Sequence, residues 1–134
     1  MPSNIVIDTS AILAVLLDEP EKEAVVEKTQ AAVLSAPASL RWEVGNAATA
    51  GVKRRRLTPA RARQLITDFE QVTVRELAID VLRAVDLGLE LGIYAYDAYI
   101  LEAARSSGFP LLALDGLIRQ NTKKLGLSLV ELDL

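Results

Sequence analysis

The 134-residue chain contains no cysteine and no histidine. Without Cys there are no thiolate nucleophiles, disulfides or Cys-ligated zinc; without His there is no imidazole acid-base work and no His-ligated metal. Aromatic residues make up only 4% of the sequence while 51% is apolar, so the expected core is aliphatic, as in layered helix and sheet packing. No uninterrupted apolar stretch approaches the ~18 residues of a membrane span, and the N-terminus lacks the basic then apolar pattern of a signal peptide. The expected compartment is the cytoplasm. Positive charge is short too: the formal net charge is -3, against the strong positive balance on which indiscriminate nucleic-acid binding relies. A chain of this length suits one compact domain over residues 1–134, burying roughly two thirds of the surface its unfolded form exposes.

Carboxylates and hydroxyls are what remain for chemistry. Oxygen ligands of that kind select hard cations such as Mg²⁺ or Mn²⁺, which keep several waters and bind one or two carboxylates plus substrate phosphate.

The order of elements reads as strand, helix, strand. A first strand is predicted over 4–8, with a helix that breaks near Asp18-Glu19-Pro20 and resumes over 21–30. A second strand over 32–35 precedes a helix over 39–55, whose stripe is Leu40, Val44, Ala47, Ala48, Gly51 and Val52. Thr58-Pro59 starts a helix to Phe69, a short strand follows over 72–74, and helices are predicted over 79–91 and 95–106, broken at Gly92 and stopped by Gly108 and Pro110. Strand 111–114, helix 117–124 and strand 128–132 complete a parallel, right-handed α/β sheet.

Four acids stand where a folding sequence ordinarily avoids negative charge. Asp8 closes the apolar run Ile5-Val6-Ile7, and Asp115 closes Leu111-Leu112-Ala113-Leu114. Either could cap the helix that follows it, but both also fall at the carboxyl ends of strands, where open parallel sheets gather ligands. Asp97 shares a helix face with Ile100, Leu101 and Ala104, while Glu102 and Arg105 are expected on the opposite, solvated side. Glu43 sits beside Leu40 and Ala47 at the boundary of its helix's apolar stripe. A lone ionised carboxylate withdrawn from water costs on the order of several kcal/mol or shifts its pKa, so converging acids call for a compensating cation. Asp18, Glu19, Glu21, Glu23, Asp80, Asp86 and Glu90 read as solvated helix faces or turns. The basic run Lys53-Arg54-Arg55-Arg56 has two readings, a solvated helix C-terminus or a patch that draws an RNA backbone toward an acidic cleft.

Ile5-Val6-Ile7-Asp8-Thr9-Ser10-Ala11, Arg41-Trp42-Glu43-Val44-Gly45-Asn46, Tyr96-Asp97-Ala98 and Leu112-Ala113-Leu114-Asp115 together resemble the PIN domain, most closely the VapC-type toxin ribonucleases. The resemblance runs over nearly the whole chain in order and spacing. It implies a three-layer α/β/α fold with a central parallel sheet, an acidic Mg²⁺ or Mn²⁺ site, endoribonuclease activity, homodimerisation and neutralisation by a VapB-like antitoxin. Carried over by motif, Asp8 and Asp97 match the principal metal ligands, Glu43 the helix-borne acid, Asp115 the further acid and Ser10 a frequent supporting hydroxyl. Ala113 departs from the pattern, standing where many relatives carry Thr or Ser; a hydrogen bond from that position is absent, and Ser10 or a water is left to supply it. The implied reaction is hydrolysis of an RNA phosphodiester by metal-activated water. The competing readings are a catalytically silent RNA- or protein-binding module that kept its acids for structure, and a phosphoacceptor receiver domain. The latter would need an acid pair after the first strand, where Asp8 stands alone.

Overall fold

The computed structural model describes residues 3–133. Its elements in chain order are β1 (Ser3–Ile7), α1 (Thr9–Leu16), α2 (Lys22–Thr29), β2 (Ala32–Ala36), α3 (Ser39–Lys53) and α4 (Pro59–Glu70). β3 (Arg75–Glu76), α5 (Val81–Leu91), α6 (Ala95–Ser107), β4 (Leu111–Leu112) and α7 (Gly116–Lys124) follow. The four strands form one parallel sheet in the order β3-β2-β1-β4. Strand order therefore runs outward from β1 through β2 to β3, then jumps back across β1 to β4.

Right-handed crossovers dictate where the helices go. The two outward steps put α1 to α4 on one face; the return step, in the opposite direction, puts α5 and α6 on the other, where α7 joins them. Side-chain alternation in β1 serves both faces. Ile5 and Ile7 pack with Ile12, Val25, Val44, Leu65 and Leu112. Val6 points the other way, into a second cluster with Leu87, Ile100, Leu101, Leu111 and Ile118. The result is the expected three-layer α/β/α arrangement around an aliphatic core.

Local signals account for the element ends. Thr58 caps α4 by accepting the Arg61 N–H at 3.1 Å, with Pro59 in the first turn. α5 and α6 end on Gly92 and Gly108, whose φ values of 68° and 74° lie in the left-handed region that favours glycine. Gly88 has a separate role. A Cβ there would lie 3.2 Å from the Ile93 carbonyl oxygen and 3.4 Å from the Ala98 Cβ, so its small size lets α5 close on the start of α6.

Four expectations are corrected. The strand predicted over 72–74 forms instead at Arg75–Glu76, because only Ser35 and Ala36 of β2 pair with it while Val72 and Val74 pack into the core. The segment 128–132 is not a strand; it makes a single parallel bridge from Leu129 to Leu111, at which Leu111 exchanges hydrogen bonds with Ser128 and Val130, both 2.9 Å. β4 ends at Leu112 rather than Leu114, since the Leu114 N–H donates to a side chain, Ser10 Oγ, and not to a strand. Glu102, expected in solvent, is 1% exposed, because α5 covers that side of α6 and Arg105 grips the carboxylate through two nitrogens. The acids read as solvated helix faces or turns do lie at the surface, with Glu21 partly covered. Among the described residues no helix is long and apolar enough to cross a membrane.

Leu101 is fully buried between α6 and the sheet, whereas Leu89 on the outer face of α5 is 76% exposed. Leu101→Ala is expected to lower the unfolding free energy by about 2–5 kcal/mol and Leu89→Ala by less than about 0.5 kcal/mol in urea denaturation. Equal losses would mean that the α6 layer is not packed as described.

Candidate active site

The point where strand order reverses lies between β1 and β4, the place where an open parallel sheet leaves a crevice beyond its strand ends. Asp8 follows the last residue of β1 and Asp115 lies three residues beyond β4, so the two acids flank that crevice. Glu43 reaches it from the second turn of α3, and Asp97 from the first turn of α6.

Asp8 and Asp115 are both helix caps. Asp8 is 7% exposed and accepts from Ser10 Oγ at 2.8 Å and the Ser10 N–H at 3.4 Å; Asp115, exposed, accepts the Ile118 N–H at 3.0 Å. The capping reading and the strand-end reading therefore describe the same side chains.

Ser10 does more than support Asp8. Its Oγ also accepts the N–H groups of Leu114 at 2.9 Å and Asp115 at 3.2 Å. One hydroxyl thus ties the end of β1 to the loop that presents Asp115, across 105 residues of sequence. Ala113, fully buried, makes no such contribution from its side chain, and Ser10 supplies the anchoring in its place.

Thr9 has a role that its neighbours in sequence do not reveal. Its Oγ1 donates to Glu43 Oε2, and this partner stands 34 residues away on another element. The only signal available beforehand is a second hydroxyl beside a strand-end acid. Asp97, half-buried, has no hydrogen-bond or ion-pair partner among the described residues.

The four acids feel one another. Burial is the chief cause that pushes Glu43 up to about 7, with the charges of Asp8 and Asp97 adding to it against the opposing Thr9 hydrogen bond. Burial likewise raises Asp8, opposed by its Ser10 bonds and assisted by Asp115; it raises Asp97, again assisted by Asp115. Repulsion therefore runs round a ring, Glu43 to Asp8 to Asp115 to Asp97 and back to Glu43. None of the four is in a salt bridge among the described residues, although five such bridges occur elsewhere. An all-oxygen, net-anionic donor set of this kind fits a hard divalent cation. Even so, among the described residues no three acids are gathered closely enough to form a metal cage. Thr9 holds Glu43, and Ser10 holds Asp8.

Lys53, Arg54, Arg55 and Arg56 are all exposed at the far end of α3. Lys53 stands about 15 Å along the helix from Glu43 at the usual rise per residue, on the side of the sheet away from the strand ends. The structure does not bring this run to the acids.

Residues 5–124 match the PIN domain. The chain belongs to the PIN-domain family. Solved structures share the fold over nearly its whole length. PAE2754 from Pyrobaculum aerophilum is 22% identical with a TM-score of 0.69, covering 90% of this chain and 81% of that one. VapBC2 from Rickettsia felis, bound to a DNA fragment from their promoter, gives 12% identity and a TM-score of 0.68 over 97% and 99% of the two chains. VapC20 of Mycobacterium tuberculosis, a sarcin-ricin loop cleaving toxin, gives 16% and 0.65 over 95% and 98%. Among proteins of curated function none matches the sequence significantly. At these identities the likeness to solved structures establishes the shared PIN-domain fold.

Two expectations follow for the PIN domain without added cation. A carboxyl whose pKa is higher folded than unfolded binds more protons in the native state, so its stabilising effect is present below about pH 4.5 and is lost as pH rises through about 7. Thermal unfolding in chelator should therefore fall from pH 5 to pH 8, and fall less steeply in Glu43→Gln, whose amide stays neutral; parallel curves would exclude Glu43 as the source. Ser10→Ala should cost about 1–3 kcal/mol by denaturant unfolding, because two backbone donors and Asp8 lose their shared partner; a loss under about 0.5 kcal/mol would show that water replaces it.

Proposed function

We propose that this PIN domain is a VapC-type endoribonuclease, dependent on Mg²⁺ or Mn²⁺ and acting in the cytoplasm as the toxin of a type II toxin-antitoxin pair. The observation that carries this reading is the ring of four mutually repelling carboxylates at the strand ends, none of them in an ion pair among the described residues. Evolution of a merely structural site would leave such charges paired or absent, since unpaired buried acids cost stability. The likeness in fold to VapBC2 and VapC20 supports the choice of class.

In this reading Asp8 and Asp97 would hold the ion, while Glu43 and Asp115 would hold a second ion or orient the attacking water. A divalent cation bound there supplies neutralisation of the scissile phosphate and lowers the pKa of a water. The residues themselves divide the remaining work. Ser10 fixes Asp8 relative to the Asp115 loop, and Thr9 holds Glu43. Direct attack by a metal-activated water, as the resemblance to VapC-type ribonucleases implies, would leave products with 5′-phosphate and 3′-hydroxyl ends. A VapB-like antitoxin would neutralise the toxin by laying an amphipathic segment against exposed apolar helix surface, and a homodimer is the assembly proposed.

The silent-module reading draws on one observation, that among the described residues no three acids are gathered closely enough to hold a metal ion. A single experiment separates the two. Purified protein is incubated with a mixed set of structured RNAs and Mg²⁺, Mn²⁺ or chelator, beside the Asp97→Asn variant. Cutting that needs the cation and falls by roughly 100-fold or more in Asp97→Asn is expected. Products ending in 2′,3′-cyclic phosphate would sink the water mechanism. Folded, antitoxin-free protein that never cuts, and that Mg²⁺ fails to stabilise, would establish the silent module.

A further inference from the structure

Three of the four acids are at least partly buried, but Asp115 is exposed, and its loop has already left the sheet, since β4 ends at Leu112. Packing does not fix an exposed carboxylate. Its place in the ring depends on how the backbone of residues 113–115 is held. Ser10 holds that backbone from the β1 side, through the N–H groups of Leu114 and Asp115. The carbonyl groups have another partner. Arg119, in the first turn of α7, brackets the same three residues: its Nη1 donates to the Ala113 carbonyl oxygen at 3.0 Å, and its backbone N–H donates to the Asp115 carbonyl oxygen at 3.0 Å. The second bond is an ordinary helical one. The first carries a cation back past the N-terminus of its own helix, where the positive end of the helix dipole disfavours it.

The guanidinium is held on its far side as well. Nη2 donates to Glu131 Oε2 at 3.2 Å. Glu131 belongs to the C-terminal segment, which is fastened to β4 where Leu111 exchanges backbone hydrogen bonds with Ser128 and Val130. A planar fork can serve the Ala113 carbonyl and the Glu131 carboxylate together, which a lysine cannot match. The Glu131 side chain is 70% exposed, so the ion pair itself adds little to stability. What it sets is the direction of the guanidinium. Ala113 offers no side-chain hydrogen bond, and the position is tied down through its carbonyl instead, by a residue six places along the chain.

Resting on the ribonuclease reading and its acidic cation site, we propose that Arg119 is a positioning residue for Asp115. By holding the Ala113 carbonyl it fixes the 113–115 turn and keeps the Asp115 carboxylate at the crevice, while Glu131 aligns the guanidinium. Arg119 touches neither cation nor RNA; it acts through Asp115 alone.

The test uses the full chain and two readouts: Mn²⁺ affinity without RNA, from the loss of the free-ion paramagnetic resonance signal, and RNA cleavage in Mg²⁺. Arg119→Met should weaken Mn²⁺ binding and lower kcat by about 10-fold, the low end for residues that orient a metal ligand, and leave KM for RNA unchanged. Arg119→Lys should recover part of both losses, and Glu131→Gln should show a smaller loss of the same kind. In an Asp115→Asn background Arg119→Met should change neither quantity further. If Arg119→Met does not fold, Glu131→Gln carries the same cycle. A further drop in that background as large as in the wild type would place the action of Arg119 elsewhere and overturn the proposal. An Arg119→Met variant that unfolds at lower urea yet keeps wild-type Mn²⁺ affinity and kcat would reduce the contact to a structural one. Asp115→Asn without effect on either readout would remove the acid that Arg119 serves, and with it the proposal. In both of those cases Asp97-dependent cleavage by the wild type leaves the ribonuclease reading standing. Wild-type protein that neither binds Mn²⁺ nor cuts RNA would remove that reading and the positioning role together.

Discussion

β1 pairs with β2 on one side and with β4 on the other, and the acidic crevice exists because of that double pairing. Parallel strands need long crossovers of one hand, so reversing the direction of travel forces the helices onto opposite faces and leaves a gap beyond the strand ends. Asp8 and Asp115 are neighbours only because their strands are. Glu43 and Asp97 come from helices on opposite sides of the sheet, and both start at the same end of it. Loss of the β1–β4 ladder, a short one of two residue pairs, would scatter all four acids.

That short ladder is reinforced by Ser10. Its hydroxyl takes the hydrogen bonds that β4 would otherwise have offered to a further pair of strand residues, and it does so while also holding Asp8. The same contact that ends the strand therefore orients the site. Thr9 performs a similar service for Glu43, and the two adjacent hydroxyls provide the main relief of negative charge within the crevice. The remaining repulsion is a cost to the folded chain, carried where a site for cations and phosphate would use it.

Glu102 shows how the same residue type is treated where no such use is evident. It lies on the same helix as Asp97, more deeply buried, yet Arg105 satisfies it by an ion pair one turn away. Two acids on one helix thus meet opposite fates. The difference lies in what is left open beside them: a bidentate guanidinium for one, an anionic crevice for the other.

Most elements were legible from periodicity and punctuation. Thr58-Pro59, Gly92 and Gly108 mark helix ends because their backbone preferences act locally, and the buried strand runs 5–7 and 111–112 are apolar because both faces are covered. The four acids could also be singled out, since an acid at a strand end or on an apolar helix face is anomalous in its own neighbourhood. Pairing partners were not legible. The shift of β3 to Arg75–Glu76, the failure of 128–132 to extend as a strand, the burial of Glu102, and the bonds from Thr9 to Glu43 and from Ser10 to Asp115 all depend on residues tens of positions apart. By itself the sequence determined which residues were out of place, because propensity, capping and amphipathicity are properties of a few consecutive residues. Only the tertiary structure decided which of them meet, because that follows from the crossover that returns the chain past β1.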